Sequence, residues 1–144
     1  MPGNEPQRGA VGYNVFYARS KDQGQTWTNA SGASSFSKEE ELKQNQGLPN
    51  PSYPSEFLVK KVDTYGRTCV GQLSKGQAVV LHGSLSAVVF SRWTGDKWVS
   101  THIADSAPLS IAMEVLSTDQ IVVYVNSVKF DGITEYVSSN AGET

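Results

Sequence analysis

Cysteine is almost absent from this sequence: Cys69 stands alone among 144 residues. A single thiol excludes an intrachain disulfide framework and leaves no cysteine pair to hold a metal. Its expected state is a buried, inert thiol. An excess of charge of one sign is missing too. The formal net charge is −2, without the basic surplus that nucleic acid or an anionic membrane surface attracts. No apolar run approaches the roughly 20 residues of a spanning helix. The opening residues, Met1-Pro2-Gly3-Asn4-Glu5-Pro6, contain no apolar signal-peptide core. No nucleic acid, membrane segment, metal or cofactor is therefore expected, and the compartment stays unknown.

Helical patterns are also scarce. Ser37 to Asn45, "SKEEELKQN", is the only candidate, with Ser37 and Glu40 spaced as a capping box. A charged, solvated loop is the competing reading. Gly47 to Pro54, "GLPNPSYP", excludes regular structure through its prolines. What remains is rich in β-branched and aromatic residues. Strands are expected at Gly12–Ala18, Phe57–Val62, Gln77–His82, Ser86–Trp93, Lys97–Ile103, Ser110–Leu116, Gln120–Val125 and Ile133–Ser139. The fold class is all-β.

Two repeats organise these strands. Leu73-Ser-Lys-Gly-Gln-Ala-Val-Val and Leu116-Ser-Thr-Asp-Gln-Ile-Val-Val share Leu-Ser-x-x-Gln-x-Val-Val. Ser20, Asp22, Gly24 and Thr26, which Trp27 follows, share their spacing with Ser138, Asn140, Gly142 and Thr144. Ser91, Gly95 and Trp98 keep part of the same frame. With four strands A to D in each unit, residues 1–30 carry C and D of the first. Residues 31–68 form an irregular insertion. Residues 69–103 make a complete unit, and 110–144 a unit that stops before its D strand. Units of this length with four antiparallel strands have the size of β-propeller blades. Two to three blades leave open sheet edges that need missing blades or another chain. The natural gene is accordingly expected to continue with a large aromatic residue directly after Thr144.

Ser20-x-Asp22-x-Gly24-x-Thr26-Trp27 resembles the Asp-box, or BNR repeat, of sialidase-like β-propellers. Ser138, Asn140, Gly142 and Thr144 resemble it in part, with asparagine for aspartate. The resemblance implies a structural role for the box. Asp22 would accept hydrogen bonds within its own turn, Gly24 would allow positive φ, and Trp27 would bury its ring against the next blade. It implies a carbohydrate-active parent that hydrolyses glycosidic bonds, with a glycan or polysaccharide as partner. Two alternatives stay open: a polysaccharide lyase acting on uronate-containing glycans, and a non-catalytic propeller used for binding or assembly. An extracellular or periplasmic parent would suit such partners.

Alternation of direction places the A–B and C–D turns at one end and the B–C and D–A connections at the other. The second end is where a scaffold of this kind presents a site. The catalytic residue is unknown, and His82 is a candidate general base or charge neutraliser. A hydrogen-bonded structural histidine is its alternative, and His102, within a D strand, is read as structural. Tyr53, Asp105, Asn126 and Asp131 are candidate substrate-binding residues. None of Arg8, Arg19, Arg67 and Arg92 stands in a sialidase-like arginine motif. Bidentate guanidinium contacts are what such a site needs for a substrate carboxylate.

Overall fold

In the computed structural model, residues 14–37, 55–61, 67–127, 129 and 132–143 are described. Tyr53, Asp131, Thr144 and the helix candidate beyond Ser37 lie outside them. The described residues form eleven strands and one 3-10 turn. The longest sheet is an antiparallel meander of β5 (Arg67–Gln72), β6 (Ala78–Gly83), β7 (Val88–Trp93) and β8 (Trp98–Ala104). A second meander has three strands, β9 (Pro108–Val115), β10 (Ile121–Ser127) and β11 (Ile133–Ser138). Two short pairs precede them: β1 (Asn14–Phe16) with β4 (Leu58–Lys61), and β2 (Thr26–Thr28) with β3 (Ser35–Ser37). A bridge between Arg19 and Thr28 joins β1's continuation to β2.

The expected insertion thus supplies strands. β4 pairs with β1, and Ser55–Phe57 forms the 3-10 turn before it. β3 pairs with β2 on the side away from Arg19, so β2 has neighbours on both edges. Asn29 fixes this hairpin. Its side chain is buried, its Nδ2 donates to Glu56 O at 3.1 Å, and its Oδ1 accepts from Ser31 Oγ and Ser34 N. The sequon at Asn29-Ala30-Ser31 therefore offers an amide nitrogen that is already engaged.

Every residue of β6 is buried, and period-two alternation explains why only if both faces are covered. Val79 and Leu81 point to a cluster with Val88, Phe90, Ile121, Val123 and Val125. These residues weld the four-stranded sheet to the three-stranded one. The opposite face carries Val80, His82 and Ser91. On that side Tyr17 packs edge-on against Trp98, with ring centroids 5.6 Å apart. Cys69 is half-buried, and burial raises its thiol pKa.

The first repeat is a repeated turn. Leu73 N donates to Gln77 O and Gly76 N to Leu73 O; Leu116 N donates to Gln120 O and Asp119 N to Leu116 O, all at 2.9 Å. Each is a tight turn followed by one residue at positive φ, Gly76 at 81° and Asp119 at 60°. The second repeat is equally close. Gln23 and Gly24 have φ of 58° and 88°, and Ala141 and Gly142 have 57° and 80°.

The third frame dissolves. Ser91 lies inside β7, buried, with its hydroxyl 2.8 Å from Ser100 Oγ across the strand pair. The β7–β8 turn is instead built by Thr94, whose hydroxyl engages Asp96 and Lys97 O, with Trp93 stacked edge-on against Trp98. Matching Ser, Gly and Trp spacing did not carry the turn, because the aspartate position is filled by Trp93 within the strand.

Candidate functional site

The register separates the two ends of the sheets. Gln72 opposite Ala78, Trp93 opposite Trp98, and Ile121 opposite Val115 and Ser138 mark one end. Arg67 opposite Gly83, Val88 opposite Ala104, and Asn126 opposite Ile133 mark the other.

The first end is built for hydrogen bonds within and between turns. Ser20 Oγ donates to Asp22 Oδ1 at 2.7 Å and accepts from Gly24 N at 2.8 Å. Asp22 Oδ1 also accepts from Thr26 N at 2.9 Å. The Thr26 amide, reinforced by the Thr26 and Ser20 hydroxyls, lowers the Asp22 carboxyl to a pKa of about 2. Ser138 repeats the pattern, donating to Asn140 Oδ1 at 2.8 Å and accepting from Gly142 N at 3.0 Å. Trp27 is half-buried, and its Nε1 donates to Gly24 O at 3.1 Å. Its ring lies over its own turn: a Cβ added at Gly24 would stand 3.6 Å from Trp27 Cζ2. The low pKa keeps this carboxylate ionised at neutral pH, an acceptor within its own turn.

The second end carries both histidines of the chain, His82 and His102, with Asp105 beside the latter. Gly83, after His82, lies against Pro108; even one Cβ there would meet Pro108 Cγ at 2.5 Å. Ser127, after Asn126, pairs with Pro108 and accepts a hydrogen bond from buried Ser106 at 3.0 Å. The ends of β6 and β10 therefore meet the same connection, residues 104–108. Asn126 is half-buried at this rim, and Asp105 is exposed.

His82 is buried, with Nδ1 3.5 Å from Thr68 Oγ1. Among the described residues its Nε2 has no hydrogen-bond partner. Burial, with the Lys60 ammonium adding to it, pushes its pKa below the ordinary histidine value. It stands neutral at pH 7, beneath the rim and not on it.

His102 is the residue that strand position concealed. It is exposed on the edge strand β8, and its Nδ1 lies 3.0 Å from Asp105 Oδ1. With Asp105, Lys129 and Tyr136 it lines a shallow polar cavity of about 300 Å³. An imidazole oriented by a carboxylate, an ammonium and a phenol can accept a proton, hold an anion and donate a proton. The signal in the sequence was His102 three residues before Asp105 at a strand end. Its partners on β11 and after β10 are distant in sequence. Among the described residues no group of three or more His, Cys, Asp or Glu is placed to hold a metal ion, and no helix is long and apolar enough to cross a membrane.

Of the arginines, Arg92 lies 3.3 Å from Glu143 at the turn end, and Arg19 exchanges backbone hydrogen bonds with Thr28. Arg67 is exposed at the opposite end, next to Thr68. They do not converge on one point. No protein-family model, curated protein or solved structure matches the chain.

Proposed function

We propose that the chain is a section of a carbohydrate-active, Asp-box β-propeller of the sialidase-like class, whose parent cleaves glycosidic bonds. The observation that carries the proposal is the paired turn. Ser20–Gly24 and Ser138–Gly142 repeat one hydrogen-bond pattern and one pair of positive φ angles. The antiparallel meanders that would serve as blades pack face to face. The link from that scaffold to glycans is family analogy. The ligand end would be the one bearing Asp105 and Asn126, with polar groups convergent enough to orient a sugar.

Two observations favour elimination at a uronate sugar as the second reading. Among the described residues, Arg19, Arg67 and Arg92 do not cluster as a sialidase-like carboxylate site requires. His102, Lys129 and Tyr136 share one cavity, which offers a proton acceptor, a cation for the uronate carboxylate and a phenol. A non-catalytic propeller used for binding or assembly is the third.

Glycan-array binding followed by product analysis distinguishes them. Hydrolysis yields new reducing ends without unsaturation. Elimination yields reducing ends together with an ultraviolet-absorbing unsaturated uronate. Binding without either product supports the third reading. A parent protein that binds no glycan contradicts both enzymatic readings.

A further inference from the structure

Lys129 brings a cation to the polar cavity between β8 and β11. Among the described residues, no carboxylate lies within ion-pair distance of its ammonium. Asp105 lines the same cavity but is engaged by His102, with Oδ1 3.0 Å from Nδ1. One buried serine pair fixes both walls. Ser127 Oγ accepts from the Lys129 amide at 3.1 Å and from Ser106 Oγ at 3.0 Å. Ser106 directly follows Asp105, and Ser127 stands two residues before Lys129. The segment bearing the ammonium and the segment bearing the carboxylate are therefore pinned to each other beneath the cavity.

We propose that this cavity captures a single carboxylate between Lys129 and protonated His102, and releases it when His102 loses its proton. The inference rests on the reading of this end as the ligand end, which makes the carboxylate that of a uronate sugar. Its basis is charge balance. With His102 neutral, the charges of Lys129 and Asp105 cancel, and an anion gains no net attraction. With His102 protonated, one positive charge is left over, the match for one carboxylate.

The groups facing His102 set that balance. Asp105 comes from the β8–β9 connection, Lys129 from the residues after β10, and Tyr136 from β11. Val89 of β7 stands opposite His102 and adds no charge. Glu135 lines the apolar trough on the other side of His102 and not this cavity. Histidine gains its charge between about pH 5 and 8. A carboxylate acceptor at Nδ1 selects the Nδ1–H tautomer, so the second proton enters at Nε2. The Tyr136 phenol supplies a neutral donor to the carboxylate or to a sugar hydroxyl. At higher pH the Nε2 lone pair is free, and it is the proton acceptor of the elimination reading.

The test is a chemical-shift titration of the whole chain with sodium glucuronate, with sodium acetate and glucose as comparisons, from about pH 5 to 8. Glucuronate should move the His102, Lys129 and Tyr136 resonances at the acid end. Its Kd should rise about tenfold for each pH unit above the measured His102 midpoint, the slope of one linked proton. Asp105→Asn removes the opposing charge and should tighten glucuronate binding several-fold at neutral pH. Lys129→Gln should lose binding at every pH. Asp105 and Lys129 are exposed, so both variants keep the fold. Glucuronate binding that is absent at acid pH or independent of pH overturns the proposal, as does weaker neutral-pH binding in Asp105→Asn. Acetate that binds as well as glucuronate with the same slope upholds the carboxylate site and contradicts only the glycan reading.

Discussion

Asp119 clasps Ser74 across the two large sheets. Its Oδ1 accepts from the Ser74 amide at 2.7 Å and its Oδ2 from the Ser74 hydroxyl at 2.6 Å. Both residues belong to the same repeated turn, one copy in each sheet. The hydrogen bonds from Ser74 lower the Asp119 carboxyl pKa. Asp119 also sits at positive φ, where glycine would be less strained. Asp119→Gly therefore sets the two effects against each other. A lower melting temperature for Asp119→Gly than for the parent chain is expected, because the clasp outweighs relief of backbone strain. An unchanged or higher midpoint would show that relief of backbone strain matches or exceeds the clasp.

The all-β class and most strands were legible in the sequence, because runs such as Gln77–His82 and Gln120–Val125 carry β-branched residues between turn signals. The turn repeats were legible because a tight turn constrains its residues locally. Three things were not. The pairing of β4 with β1 joins residues more than forty positions apart, which no local pattern encodes. Ser91 mimicked a motif by spacing alone. The joining of His102 to Lys129 and Tyr136 depends on how two sheets pack, and single-strand alternation is silent on that.

The two matched turns predict interchangeable chemistry. Asp22→Asn should keep the turn, since Asn140 accepts the equivalent serine hydrogen bond. Asp22→Ala should lower the thermal midpoint by leaving the Thr26 amide without its acceptor. The folded pKa of Asp22 lies below the ordinary 3.8. Its contribution is therefore present above that value and lost as pH falls toward about 2. Thermal scans of Asp22→Ala, Asp22→Asn and the parent chain between pH 2 and 6 check both points.

Trp27→Ala should destabilise by about 2 kcal/mol, less than for a fully buried indole, because the ring is half-buried over its own turn. Urea unfolding measures it. A loss of about 5 kcal/mol would indicate burial against another sheet.

Gly142→Ala should cost more than Gly95→Ala. Both sit at positive φ, but a Cβ at Gly142 would overlap the Phe90 ring, while one at Gly95 meets nothing within 4 Å. Backbone strain of about 1 kcal/mol is common to both. Overpacking adds roughly 1–3 kcal/mol at Gly142 alone. Phe90→Leu in the Gly142→Ala background should recover part of that, and a strictly additive double mutant would deny the contact.

His82 predicts acid sensitivity. Its folded pKa is depressed by burial and by Lys60, so the unfolded chain binds a proton first as pH falls. Stability should decline below about pH 6.5 and keep declining until the folded pKa is reached. His82→Phe should flatten this part of the profile. An equally steep decline in His82→Phe would assign it to other groups.

Residue-resolved amide shifts of this chain, titrated with neutral and uronate-containing oligosaccharides, test the functional proposal most directly. Shifts are expected at Asp105, Asn126, His102 and Lys129, with the Ser20–Trp27 turn silent. Shifts confined to that turn, or none with any glycan, would contradict it.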